Sequence, residues 1–149
     1  MGSYREHALD GATAVDLVVA LYDGIIRFLY AAIEAVEQGD AEGRRAAVKR
    51  ALDIIIHLQA RLRMDVGGKP ARVLSEFYAS IFAVILKGSQ SASKAKFQYA
   101  IDCVRNVRDA WREVAREQNL GGDAHHSAAT ILALTEPRPE LPAGSSWTA

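Results

Sequence analysis

Apolar residues recur every three to four positions almost without a break from residue 14 to 118, and the strict alternation of a strand is absent. The pattern predicts four long helices. The first starts at Thr13, whose hydroxyl can cap free amides with Asp16 three residues on, and runs to a left-handed stop at Gly39. Asp40 caps the second, which continues to Asp65 or Val66. Gly67, Gly68, Lys69 and Pro70 make a loop, with Pro70 suited to the first turn of the third helix. That helix stops at Gly88, and Ser89 or Ser91 caps the fourth, which ends at the Gly121-Gly122 break. Short loops between long helices force neighbours to run antiparallel. The expected fold is all-α, an antiparallel up-down four-helix bundle over residues 13–120. A flexible segment, 1–12, precedes it. A proline-bearing disordered tail, 121–149, follows and includes DAHHSAATILAL, a short fifth helix that would form only by docking.

The fourth helix is ordinary: Phe97, Ile101, Val104, Val107, Trp111 and Val114 share one face, and the opposite face is charged. The third is apolar most of the way round, from Val73, Leu74, Phe77 and Tyr78 through Ile81, Phe82, Val84, Ile85 and Leu86. The second carries Ile54-Ile55-Ile56, and successive residues on a helix step about 100° apart, so all three cannot face one core. Either the third helix is central and touched on several sides, or the surplus forms a groove for a partner. Candidate groove residues are Ile54, Ile56, Phe77, Ile81 and Phe82. Tyr4 and Leu9, large apolar side chains in a polar leader, are candidates to cover that groove.

Composition narrows the chemistry. Lys and Arg balance Asp and Glu at eighteen each over 149 residues, and the balance holds in each half of the chain, which excludes a globally basic nucleic-acid binder. One cysteine, Cys103, excludes a disulfide framework and a Cys-rich zinc site. Its place within an apolar face reads as a small buried hydrophobe. The most apolar window, 17–36, contains Asp23, Arg27 and Glu34, so no membrane insertion is expected and the cytoplasm is the expected compartment. No Glu-x-x-His pair for a metal bundle occurs, and there is no phosphate loop or nucleophile elbow, so neither an enzyme nor a metal or other cofactor is expected. A local surplus of base between Ala41 and Arg72 (Arg44, Arg45, Lys49, Arg50, Arg61, Arg63, Lys69 and Arg72, against three acids) is read as a solvated helix face, with an acidic partner as the alternative.

Several segments, taken in order, resemble the flagellin export chaperones, the FliS family. Tyr4 and the small residues around Thr13 precede Leu17-x-x-x-Leu21-Tyr22-Asp23-Gly24. Ile55-Ile56-x-Leu58-x-x-x-Leu62 is similar to the family's second helix, Leu74-x-x-Phe77-Tyr78 to its third, and Arg108-x-Ala110-Trp111 to its close. The family's usual Ser-Pro at the first cap is Thr13-Ala14 here, and the sequence after Tyr78 departs from the family pattern. The resemblance implies a chaperone that holds the disordered C-terminal segment of flagellin around the bundle, prevents premature polymerisation and delivers its client to the flagellar export gate, without ATP. Leu21, Tyr22, Asp23, Gly24 and Trp111 are read as structural. The hydroxyl of Tyr22 and the indole of Trp111 each need a partner. Asp23 is either an exposed carboxylate or, the preferred reading, a partner for one of them. The competing reading of the surplus apolar surface is a homodimer interface.

Overall fold

The computed structural model describes residues 2–119, and side chains over 14–117. Its four helices are α1 (Gly2–Glu37), α2 (Ala41–Ala60), α3 (Gly68–Gln90) and α4 (Lys94–Asn119). α1 packs on α2 and α4, and α3 packs on the same two, so α1 faces α3 and α2 faces α4 across the diagonals of a square bundle. Among the described residues there is no strand, and no helix is long and apolar enough to cross a membrane. The core is aliphatic with two buried tyrosines; Tyr22, Ile25, Leu29, Ile55, Tyr78, Ile81, Ile85, Phe97, Ile101 and Val104 are its main contributors.

Several boundaries follow the expected chemistry. Gly39 closes α1 with φ +68°, and the Asp40 carboxylate accepts the Gly43 amide at 2.8 Å, capping α2. Others differ. α1 begins at Gly2 rather than Thr13, so the segment expected to be flexible has a helical backbone continuous with α1. α2 stops at Ala60, five residues early. The amides of Arg61 and Leu62 reach back only three residues, to Leu58 and Gln59, tightening the last turn before the chain leaves the axis. Pro70 sits in the first turn of α3, as expected.

α3 passes straight through Gly88. That glycine is there for packing: a Cβ at position 88 would lie 3.1–3.2 Å from the Phe97 ring and Lys96 Cβ. The left-handed stop falls instead to Ala92 (φ +49°), and Ser93, not Ser89 or Ser91, caps α4 by accepting the Lys96 amide at 3.1 Å. The Gly121-Gly122 break, the segment DAHHSAATILAL and the rest of the tail lie outside the described residues.

Cross-helix contacts fix the register. Gly24 lies against Ile54, Gln59 donates to the Ser75 hydroxyl, and Arg108 pairs with Asp23. One level of the bundle therefore holds Tyr22–Gly24, Ile54–Ile56, Tyr78–Ala79 and Arg108–Trp111.

Candidate functional site

That level is built by three consecutive residues of α1. A helix turns its side chains by about 100° per residue, and Tyr22, Asp23 and Gly24 use the turn to address three different helices. Tyr22 points across the diagonal to α3. Its hydroxyl meets that of Tyr78 at 2.7 Å, and the rings pack edge to face with centroids 6.2 Å apart. Asp23 turns to α4, where it accepts from Arg108 at 2.9 Å and pairs with Arg112 at 3.6 Å. Gly24 turns to α2. A Cβ there would lie 3.0 Å from Ile54 Cδ1, so the missing side chain lets the two helices approach. Leu21 packs half-buried against the same core.

Burial dominates the electrostatics of the pair. It pushes the Tyr22 hydroxyl well above its ordinary pKa, with a further upward push from Tyr78, while the nearby Trp111 indole acts the other way. Burial likewise pushes Tyr78 up to about 12. The Trp111 Nε1 is buried beside this pair without a completed hydrogen bond. Its influence on Tyr22 is that of a neighbouring dipole, since the geometry of a bond is not met. Burial works against the charge of the Arg108 guanidinium, but its hydrogen bonds to Asp23 and Asp109 prevail and the net shift is upward. Asp23 thus serves neither Tyr22 nor Trp111, contrary to the preferred expectation. The tyrosine hydroxyls satisfy each other, which frees the carboxylate for a guanidinium.

Directly outside the Tyr78 ring, the α2–α3 face opens as a cleft of about 290 Å³ lined by Ile55, Ile56, Gln59, Tyr78, Ala79 and Phe82. Ile55 and Tyr78 are its floor. Ile56, 54% exposed, and Phe82, half-buried, are its walls. The only polar lining groups besides the Tyr78 hydroxyl belong to Gln59, whose amide is already engaged with Ser75 at 2.6 Å. Leu86, 40% exposed, lies one helical turn beyond Phe82 on the same face.

Five groove candidates thus divide. Ile56 and Phe82 line the cleft. Ile81 is buried at 3% exposure and belongs to the core. Ile54 turns the other way, onto Gly24 of α1, and Phe77 packs half-buried against the core beside the Tyr78 ring, so neither lines the cleft. The isoleucine triplet resolves as its 100° steps require: one residue towards α1, one into the core, one outward. α3 is not central: it packs along α2 and α4 and meets α1 across the diagonal at the Tyr22–Tyr78 pair. Of its surplus apolar residues, Phe77, Phe82 and Val84 are half-buried against the core and Leu86 is exposed. Ala79 and Gln59 were missed as lining residues; Ala79 was legible only as the position one turn before Phe82 and Ala83. The side chains of Tyr4 and Leu9 lie outside the described set.

The basic surplus is partly absorbed at home. Lys49 pairs with Asp53 at 3.0 Å, Arg63 with Asp65 at 3.4 Å, and Arg27 and Arg50 lie 5.3 and 5.6 Å from the centroid of the Phe28 ring. Among the described residues no group of three His, Cys, Asp or Glu side chains is placed to hold a metal ion. Cys103 is half-buried against the core.

Fold and site together define a helical bundle with an apolar cleft on its α2–α3 face. The family model described as flagellar protein FliS matches residues 1–118, and the chain belongs to that family of flagellar secretion chaperones. It is similar to the flagellar secretion chaperone FliS of Campylobacter jejuni, with 30% identity over 70% of this chain and 81% of the relative. The Salmonella typhimurium chaperone of the same name is 28% identical over 74% of this chain and 82% of its own length. That of Bacillus subtilis is 22% identical over 84% and 91%.

Proposed function

We propose that this chaperone acts in the cytoplasm, binds the C-terminal segment of flagellin along the α2–α3 face, keeps it from polymerising and presents it to the flagellar export gate. The observation that carries this reading is the cleft walled by Ile56 and Phe82. An isoleucine left 54% exposed beside a half-buried phenylalanine, on a face with Ala79 and Leu86, is apolar surface that the bundle does not itself use. An amphipathic client segment would lay its apolar side chains there and gain helical structure. Such coupled folding buries roughly 1,000–3,000 Å², offset by an ordering cost of about 2–5 kcal/mol. No cofactor or nucleotide enters the mechanism; occupation of the client's own assembly surface is sufficient.

Calorimetric titration with a peptide of about the last forty residues of the same organism's flagellin tests this. The expected result is one-to-one binding with a gain in helicity and a negative heat-capacity change. Ile56→Asp is expected to abolish it while leaving the bundle folded. Absence of binding, with a sedimentation mass of twice the chain, would instead make the face a contact between two copies.

A further inference from the structure

We propose that residues 124–134 of this chain, AHHSAATILAL, are a built-in competitor for the α2–α3 cleft. The proposal rests on the cleft being the client site proposed above. Three observations support it.

The first is position. Antiparallel packing brings the end of α4, Asn119, to the same end of the bundle as the end of α2 and the start of α3. The cleft lies level with residues 108–111 of α4, so Asn119 stands roughly ten residues, or about 15 Å, beyond it. The stretch 120–126 includes Gly121-Gly122, and a flexible chain of that length spans about 15 Å on average. Ile131 and Leu132 are thereby within reach of Ile56 and Phe82.

The second is chemistry. Ala124, Ala128, Ile131 and Leu132 recur at helical spacing, Leu134 adds to the same apolar run, and Pro137 ends it. An alanine-rich stripe with two or three large aliphatic residues suits a shallow cleft of this size. Charge agrees. Residues 120–149 carry Asp123, Glu136 and Glu140 against Arg138, while the bundle end they leave presents Arg61, Arg63, Lys69, Arg72 and Arg116 against Asp65, Glu113 and Glu117. Arg61, Arg63 and Arg72 are all exposed there.

The third is provenance. The family match ends at residue 118, and the segment lies beyond it.

A tethered segment competes at an effective concentration near millimolar. A weak intrinsic affinity of about 100 μM would then fill the cleft about nine times in ten and weaken client binding about tenfold. The test uses the full chain throughout. Hydrogen exchange of residues 128–134 is measured in the natural protein and in Ile56→Asp, and the flagellin peptide is titrated into the natural protein and into Ile131→Asp/Leu134→Asp. Expected are slow exchange in the natural protein, fast exchange in Ile56→Asp, and about tenfold tighter peptide binding by the tail variant. Equal exchange in both proteins together with unchanged peptide affinity overturns the proposal. If the peptide binds both proteins equally, the client site stands and the competitor falls. If the peptide binds neither but 128–134 are still protected by Ile56, the client site falls and the tail contact stands.

Discussion

The hydroxyl pair at the centre of the bundle gives a sharp stability test. Tyr22 is fully buried and Tyr78 is 4% exposed, and each phenol finds its partner in the other at 2.7 Å. Tyr78→Phe removes one oxygen and leaves the Tyr22 hydroxyl buried with only the misaligned Trp111 indole near it. Stranding a buried donor costs about 1–3 kcal/mol, whereas deleting both partners for groups of the same shape is close to neutral. The single variants Tyr22→Phe and Tyr78→Phe should each lose about 2 kcal/mol, and the double variant should lose less than either. The edge-to-face ring contact survives in every variant, so the cycle isolates the hydroxyls.

Urea unfolding followed by far-ultraviolet circular dichroism measures all four proteins, with a common slope as the check that one transition is being compared. For a chain of this size, about 2 kcal/mol corresponds to a fall in Tm of roughly 5–10 °C. If the two losses simply add in the double variant, the hydroxyls are not each other's partner and the reasoning fails. Because Trp111 lies against Tyr22, the Tyr22→Phe loss should be at least as large as that of Tyr78→Phe.

Alkaline pH acts on the same pair. Both folded-state pKa values are raised, so below pH 10 neither state ionises and nothing is lost; above it the unfolded chain releases protons that the folded one keeps. Stability should therefore fall by about 1.4 kcal/mol per pH unit per tyrosine between pH 10 and 12, seen in melts as a steepening loss of Tm; a flat profile would refute it. Ile81→Ala should cost about 2–5 kcal/mol as a core truncation, while Ile56→Ala should stay within about 0.5 kcal/mol yet weaken client binding, and thermal melts paired with titration separate the two. Asp23→Ala strands the Arg108 guanidinium, whose side chain is only 16% exposed; a loss of about 1–2 kcal/mol is expected, reduced by 0.5 M salt less than a surface pair would be. A loss indistinguishable from zero would show that water or Asp109 satisfies Arg108 instead.

What was legible in the sequence follows from what each signal physically reports. Periodicity reports burial along a helix axis, and it located four helices, their order and the apolar face of α4 from Phe97 to Val114. It could not tell Ile54, Ile56 and Ile81 apart, since all three are large and aliphatic and differ only in which neighbour the fold puts opposite them. Glycine was ambiguous for a related reason. Gly39 stops a helix because its φ is positive, while Gly88 sits mid-helix to admit the Phe97 ring, and a sequence shows neither the dihedral nor the ring. Serine caps are equally interchangeable on paper; Ser93 is chosen over Ser89 and Ser91 only once Gly88 has been passed.

The Leu-Tyr-Asp-Gly segment, Leu21 to Gly24, is not among the residues that line the cleft. Three of its four residues each secure a different helix, through a phenol pair, an ion pair and a close approach, so together they fix the register of the whole bundle at one level. That level also sets the cleft: Tyr78, held from inside by Tyr22, is its floor, and Ile56 is turned outward because Ile54, two residues earlier, is taken by Gly24. A helix advanced by one residue rotates its faces by about 100°, which would turn Ile56 into the core and put His57 on the outer face in its place. The motif therefore governs the shape of the cleft without lining it. Enlarging Gly24 to valine would push α2 away from α1 at Ile54, and the expected signature is a loss of client affinity larger than the loss of stability alone explains, measured by titration well below the melting temperature.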